Sequence, residues 1–243
     1  MIPHILIIQS VYTDPALSAR RLAITEHTCK PSLAYQTRKP IVHLAQHPDD
    51  PHAKARAEML RSTGCIVIEL WRDQWRLYGE DYSLPEGRKV VSRCDDDDVL
   101  SVDFCARTYA AGCQQQGKAA LVWPQGMTYW RHQAYSWRYP GNQFVSVVTD
   151  GNDSPHDMQH HRFATEWPAV VVSEQVGWIW IRHGDAHTST LSKYRPRLLR
   201  GIDVSRTPVN MRAVSRVIEA SGQMSGDYRE HRRLQQQKVS PMK

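Results

Sequence analysis

The chain has 243 residues and a formal net charge of +6, with 41% apolar and 23% charged residues. That length holds one large domain, or two small ones, around a sizeable core, and the composition excludes collagen, coiled coil and wholesale disorder. No apolar run approaches the ~20 residues of a membrane helix, and five cysteines without a CxxC pair point to a reducing cytoplasm rather than a disulfide framework.

Ile5-Leu6-Ile7-Ile8 reads as a buried strand, too short for a signal sequence and without a basic start. Asp14-Pro15 supplies an N-cap followed by proline at the first helical position, so a helix is expected through Leu17, Leu22 and Ile24. Lys30-Pro31 breaks or restarts it near residue 32. Residues 41–45 read as a second strand. Asp49-Asp50-Pro51 caps a helix over 52–63 that ends at Gly64, and residues 65–70 read as a third strand. This β-α-β-α-β order predicts parallel strands with helices on the faces. Residues 71–88, aromatic and polar, read as a loop.

Val90-Val91 is a short strand running into Cys94-Asp95-Asp96-Asp97-Asp98-Val99-Leu100. Ser101 can cap a helix over about 102–116 with Phe104, Cys105, Tyr109 and Cys113 inward. Strands are expected at 119–123, 144–148, 170–172 and 178–181, with hairpin or substrate loops over 124–142. Thr207-Pro208 opens an amphipathic helix carrying Val209, Val214, Val217 and Ile218, ending at Gly222. The charge divides the chain as well. Residues 193–243 hold twelve Lys/Arg against four Asp/Glu, a net +8, which leaves −2 on residues 1–192. The expected organisation is one domain over 1–192 and a basic extension over 193–243 with one helix and a frayed tail.

Four consecutive aspartates are costly, because close like charges raise one another's pKa. A divalent cation with phosphate ligands is the usual compensation, and Mg²⁺ or Mn²⁺ prefers such hard oxygen ligands. A solvated acidic loop is the plain alternative. The apolar residues on both sides favour a site, since open α/β sheets bind ligands at the carboxyl ends of their strands.

Three stretches carry a family resemblance. One is Arg21-Leu22 with Pro31-Ser32-Leu33-Ala34-Tyr35-Gln36-Thr37. Another is the acidic element from Arg93 to Phe104. The third is Asn142-Gln143-Phe144 with the later Gly177-Trp178-Ile179-Trp180-Ile181-Arg182-His183-Gly184-Asp185. Over roughly residues 4–192 the chain resembles small glycosyltransferases of the GT-A type, in particular the bacterial rhamnosyltransferase-like proteins. The resemblance implies a Rossmann-like α/β fold with a mixed, mostly parallel sheet and helices on both faces. It implies a nucleotide-sugar donor and Mn²⁺ or Mg²⁺. Asp97 then binds the metal on the donor diphosphate. Asp95 faces the ribose or shares the metal, and Asp98 touches sugar or acceptor. His183 is the third metal ligand, and Arg21 and Arg93 belong to the donor site. Cys94 in place of Leu, Gln143 in place of Pro and Ala186 in place of Asn depart from the family pattern. No residue stands out as the base of an inverting reaction. Asp150 and Asp153 are the candidates, in a stretch that reads at least as readily as a turn.

Other chemistries lack their motifs. There is no GxGxxG, no GxxxxGK[ST] and no GxSxG. The i,i+4 pairs His156/His160 and His183/His187 lack the Glu of HExxH. Trp123, Trp130, Trp137 and Tyr139 either stack on a sugar or base, or belong to the core. The expected function is a cytoplasmic, metal-dependent glycosyltransferase. Its acceptor is a modified base in DNA, reached through the basic extension, or a surface glycan. A non-catalytic nucleic-acid- or sugar-binding protein on the same fold is the alternative.

Overall fold

The structure, a computed structural model, describes residues 2–72, 83–130, 133–157, 159–183, 197–198 and 209–220. The first half of the chain runs β1 (His4–Ser10), α1 (Pro15–His27), α2 (Cys29–Ala34), β2 (Ile41–Gln46), α3 (Ala53–Arg61), β3 (Ile66–Trp71), β4 (Lys89–Asp95), β5 (Val99–Leu100) and α4 (Phe104–Cys113). The second half runs β6 (Ala119–Val122), β7 (Gln125–Trp130), β8 (Gln133–Arg138), β9 (Ser146–Thr149), α5 (His160–Glu166), β10 (Ala169–Val171), β11 (Trp178–Ile181), β12 (Arg197–Leu198) and α6 (Met211–Ala220).

Seven strands form the main sheet in the order β10-β6-β9-β4-β1-β2-β3. The expected β-α-β-α-β unit is present, with β1 parallel to β2 and β4, and β2 parallel to β3. Within this sheet β9 runs antiparallel to both its neighbours, β4 and β6. Strand β4 is longer than the Val90-Val91 expectation and carries the chain straight into Asp95. A second sheet, β12-β8-β7-β11-β5, is built on the β7–β8 hairpin.

Helix α1 opens as its sequence dictates. Asp14 accepts a hydrogen bond from the Leu17 N–H at 2.7 Å, and Pro15 is the first helical residue. The restart comes at Cys29, two residues before Pro31, which lies in the first turn of α2, where no intrahelical N–H is needed. Helix α4 buries Phe104, Cys105, Thr108 and Gly112, whereas Tyr109 is half-buried and Cys113 exposed, against expectation. Close packing on the sheet sets this rotation. A Cβ on Gly112 would meet Val90 Cγ2 at 2.4 Å, so the glycine faces the sheet and Cys113, one position round the helix, does not.

The largest apolar cluster joins the two sheets. Leu6, Ile8, Leu44 and Phe104 of the main body pack with Trp123, Trp137, Phe144 and Trp178. The opposite face of the main sheet packs Ile5, Ile7, Val91 and Val147 against Phe163 of α5. Helix α6 was expected inside a separate extension. Instead its Val214 and Ile218, with Val209, pack on Met127, Tyr129, Ile179 and Ile181 of the second sheet. The boundary at residue 192 therefore cuts through a shared core.

Candidate active site

The parallel strands end at one edge of the main sheet, and the four aspartates turn there. Asp95 is the last residue of β4, and the Asp98 N–H bonds back to the Asp95 carbonyl at 3.2 Å. Each carboxylate has different surroundings.

Asp96, which the sequence did not single out, is fully buried and anchors the turn. It accepts hydrogen bonds from Ser10 Oγ at 2.8 Å, Tyr12 OH at 2.9 Å and Arg21 Nη2 at 2.5 Å. Arg56 Nε of α3 lies 3.9 Å away, and the same guanidinium pairs with buried Asp50 at 2.7 Å. Ser18 Oγ also bonds Asp50. The β1–β4 register, which sets Gln9 opposite Asp95, is the signal that places Ser10 beside Asp96.

Asp97 faces Arg21 and His183. Arg21 Nη1 donates to Asp97 Oδ2 at 2.5 Å, and His183 Nε2 lies 2.7 Å from the same oxygen and 2.6 Å from Arg21 Nη1. Nε2 can donate to Asp97 or accept from Arg21, but not both. Burial alone would raise the Asp97 pKa, yet the Arg21 and His183 charges and hydrogen bonds hold it well below the usual carboxylate range. Asp98 is fully buried, and its Oδ1 accepts from the Ile181 N–H at 3.0 Å, tying the acidic turn to β11. Burial, then the charges of Asp97 and Asp95, push its pKa well up. Asp95 is also raised, by burial first, with Arg93 opposing at 3.3 Å.

Asp95, Asp97 and Asp98 each bring one oxygen within 4.8 Å of the others, the only such group among the described residues. Asp98 Oδ2 is buried with no hydrogen-bond partner. Hard oxygen donors in that arrangement fit Mg²⁺ or Mn²⁺, and a bound cation would supply the partner that Asp98 Oδ2 lacks.

The sequence motifs meet physically. Ser32 Oγ of α2 accepts from the Leu100 N–H at 2.7 Å, Gln36 Nε2 donates to the Ser101 carbonyl at 2.7 Å, and Gln36 Oε1 accepts from the Cys105 N–H at 3.0 Å. The 31–37 stretch thus clamps the segment that follows the aspartates. Asn142 Nδ2 and Trp178 Nε1 both donate to the Trp123 carbonyl at 2.9 Å, and Phe144 stacks on Trp178 with centroids 4.7 Å apart.

Asp150 and Asp153 do not join the site. Antiparallel β9 pairs Thr149 with Lys89, so its far end lies at the opposite edge of the sheet, about 20 Å along β4 from Asp95. There Asp150 is exposed and reaches Arg88 at 3.5 Å, while Asp153 pairs with Lys118 at 2.8 Å. Trp123 and Trp137 are core residues rather than an open stacking surface, with Trp123 against Phe104 and Trp137 against Tyr139 and Trp180. The side chain of Trp130 and residue His187 lie outside the described residues. His156 precedes α5 and His160 begins it, so the two share no helical turn.

Residues 78–194, just under half of the chain, match the sequence model of the family described as "Putative rhamnosyl transferase". No curated protein matches the chain. Among solved structures, S. aureus TarS is similar at 10% identity and a TM-score of 0.49, over 74% of this chain and 37% of that one. The chain thus spans little more than a third of that protein. The "putative nucleotide-diphospho-sugar transferase" of Desulfovibrio desulfuricans G20 is similar at 12% identity and a TM-score of 0.46, over 91% and 97% of the two chains. Mouse xyloside xylosyltransferase 1 gives 10% and 0.41, over 63% and 68%. The family match takes in the acidic element, Asn142, Phe144 and His183. Over residues 78–194 the chain is thus similar to that rhamnosyl transferase family.

Proposed function

We propose that the chain transfers a sugar from a nucleotide-sugar donor to an acceptor hydroxyl, with a divalent cation held by Asp95, Asp97 and Asp98. The observation that carries this reading is the convergence of three carboxylates at the end of β4, with a buried, unpartnered Asp98 oxygen among them. A bound Mg²⁺ or Mn²⁺ supplies Lewis-acid neutralisation of the donor diphosphate. The protein's own groups prepare that position. Arg21 and His183 keep Asp97 ionised, Asp96 fixes the turn, and the Ile181 N–H orients Asp98. Asp97→Asn is expected to abolish metal-dependent release of nucleoside diphosphate from a panel of nucleotide sugars. Full activity in that variant overturns the assignment.

The +8 charge of residues 193–243 supports an acceptor that carries negative charge, a base in DNA or a charged surface glycan. For DNA, the affinity for a duplex falls steeply between 50 and 200 mM salt, and deletion of 221–243 reduces that slope. A salt-independent affinity, or a slope the deletion leaves unchanged, removes DNA as the acceptor recruited by this segment. The deletion stops after α6 because the helix is part of the core of the second sheet.

A further inference from the structure

Five large apolar side chains are exposed among the described residues, and three of them, Ile66, Ile68 and Trp71, lie on β3. They are 66%, 43% and 51% exposed. Strand β3 is also an outer strand of the main sheet. One edge of it pairs with β2 over the whole length of the strand, and among the described residues no strand pairs with the other edge.

Proteins blunt such edges with short strands, proline, lysine, bulges or a covering element, because unpaired backbone groups invite another strand. The opposite outer strand, β10, has three residues. Strand β3 has six, keeps an unbroken register with β2, and contains neither proline nor lysine. Its one charge, Glu69, is tied to Arg61 of α3 at 2.5 Å and to Gln46 of β2 at 3.4 Å. Val67 packs into the core on one face of the sheet and Leu70 into the core on the other. Ile66 and Ile68 share the Leu70 face and Trp71 the Val67 face, so this open edge carries apolar side chains on both sides.

We propose that β3 pairs antiparallel with β3 of a second copy of this chain, across a two-fold axis at Ile68, joining the two main sheets into one. The backbone limits the register. The Arg72 N–H donates to the Gln46 carbonyl at 2.7 Å, so Ile68 and Leu70 also aim their backbone groups at β2, while Val67, Glu69 and Trp71 aim theirs outward. Outward residues form the hydrogen-bonded pairs of the new ladder. A two-fold at Ile68 sets Val67 opposite Glu69 of the second copy, Ile68 opposite Ile68, and Ile66 opposite Leu70. Each exposed isoleucine then meets an apolar residue in a non-hydrogen-bonded pair, where side chains approach most closely. An axis at Glu69 would instead oppose two carboxylates and set Ile66 against Arg72. A six-residue strand is ~20 Å long and its side chains fill up to ~10 Å on either face, so the paired edges cover at most about 400 Å² per partner. That is below the ~800 Å² per partner of a standard stable interface, so the dimer is a reversible one. The acidic turn at the end of β4 lies beyond β2 and β1 from this edge, so the pairing leaves it open and does not depend on the glycosyl-transfer reading.

The test is sedimentation equilibrium of the full chain from low to high micromolar concentration. The wild type is expected to pass from monomer to dimer. Ile68→Lys opposes two ammonium groups at the axis and is expected to weaken association about tenfold or more. Ile68→Cys sets two thiols in a non-hydrogen-bonded pair, within disulfide reach. It is expected to form a covalent dimer under glutathione disulfide, beyond any formed by the wild type. Ile66→Cys is expected to cross-link with Leu70→Cys and not with itself. The cysteine variants decide the question if Ile68→Lys fails to fold. A wild type that stays monomeric throughout overturns the proposal, whether the edge takes a peptide of another protein or nothing. A dimer that folded Ile68→Lys leaves intact overturns it as well, as does self-cross-linking of Ile66→Cys in place of Ile68→Cys.

Discussion

In the sequence the four aspartates look equivalent, and their neighbours in space separate them. Asp97 is held ionised between Arg21 and His183, Asp98 is buried against the Ile181 N–H, Asp95 meets Arg93, and Asp96 serves the fold. Asp96 compensates two buried guanidinium groups, those of Arg21 and Arg56. Removing it leaves Arg21 with Asp97 and Arg56 with Asp50 as carboxylate partners and breaks one close buried pair, a loss that costs about 3–5 kcal/mol in comparable cases. Asp96→Ala is therefore expected to lower unfolding stability by about that amount in urea denaturation. Asp150→Ala, at an exposed carboxylate 3.5 Å from Arg88, is expected to stay within about 0.5 kcal/mol of the wild type. A larger loss at Asp150 than at Asp96 would contradict these assignments.

Among the elements, the second sheet matters most for the site, because β11 delivers both the Ile181 N–H and His183. Its position depends on glycines where indoles press on backbone. A Cβ on Gly126 of β7 would meet the Trp178 ring at 2.1 Å, and one on Gly177 would meet the Trp123 ring at 2.3 Å. These rings are fully buried and have no room to yield. Gly126→Ala is expected to destabilise the protein by about 1–3 kcal/mol, the range for overpacked cores. It is also expected to weaken Mn²⁺ binding, because β11 carries the group that orients Asp98. Calorimetric Mn²⁺ titration together with urea denaturation checks both effects, and wild-type values in both would show that the close packing on β7 is unimportant. The α2 clamp has the same logic at lower density, since Ser32 and Gln36 hold the backbone from Leu100 to Cys105 by hydrogen bonds while Leu33 packs with Leu100 and Phe104 in the core.

At the scale of the whole molecule, burial of histidines couples folding to pH. His4 lies within the sheet, 2.8 Å from Ser92 Oγ, and burial, aided by the Arg38 charge, pulls its pKa from 6.5 down to about 3. The unfolded chain therefore takes up a proton first as pH falls. The stabilising contribution is complete above pH 6.5 and is lost progressively between 6.5 and about 3, at up to about 1.4 kcal/mol per pH unit. His43, His156 and His160 are shifted in the same direction and add to the loss. Urea unfolding at pH 7, 5.5 and 4.5 is expected to show falling stability, with a shallower fall in His4→Gln. An identical slope in that variant would exclude His4 as a source of the dependence. The net charge of +6 is likewise better described by location, as a slightly acidic body and a basic C-terminal stretch whose α6 is built into that body.

The sequence by itself determined the run of parallel strands, because continuous β-branched segments between capped helices have few other ways to bury themselves. It determined the acidic turn at a strand end, because four adjacent carboxylates between apolar segments need a compensating partner. It also marked Asp95, Asp97, Asp98, Arg21 and His183 through motif resemblance. Pairing direction was decided by the tertiary structure alone. A four-residue apolar strand reads the same in either direction, and the antiparallel course of β9 carries Asp150 and Asp153 to the wrong edge of the sheet. The roles of Asp96, Arg56 and Tyr12 were also decided there. Each of these contacts joins residues far apart in the chain, and no local pattern encodes which buried charge will find which partner.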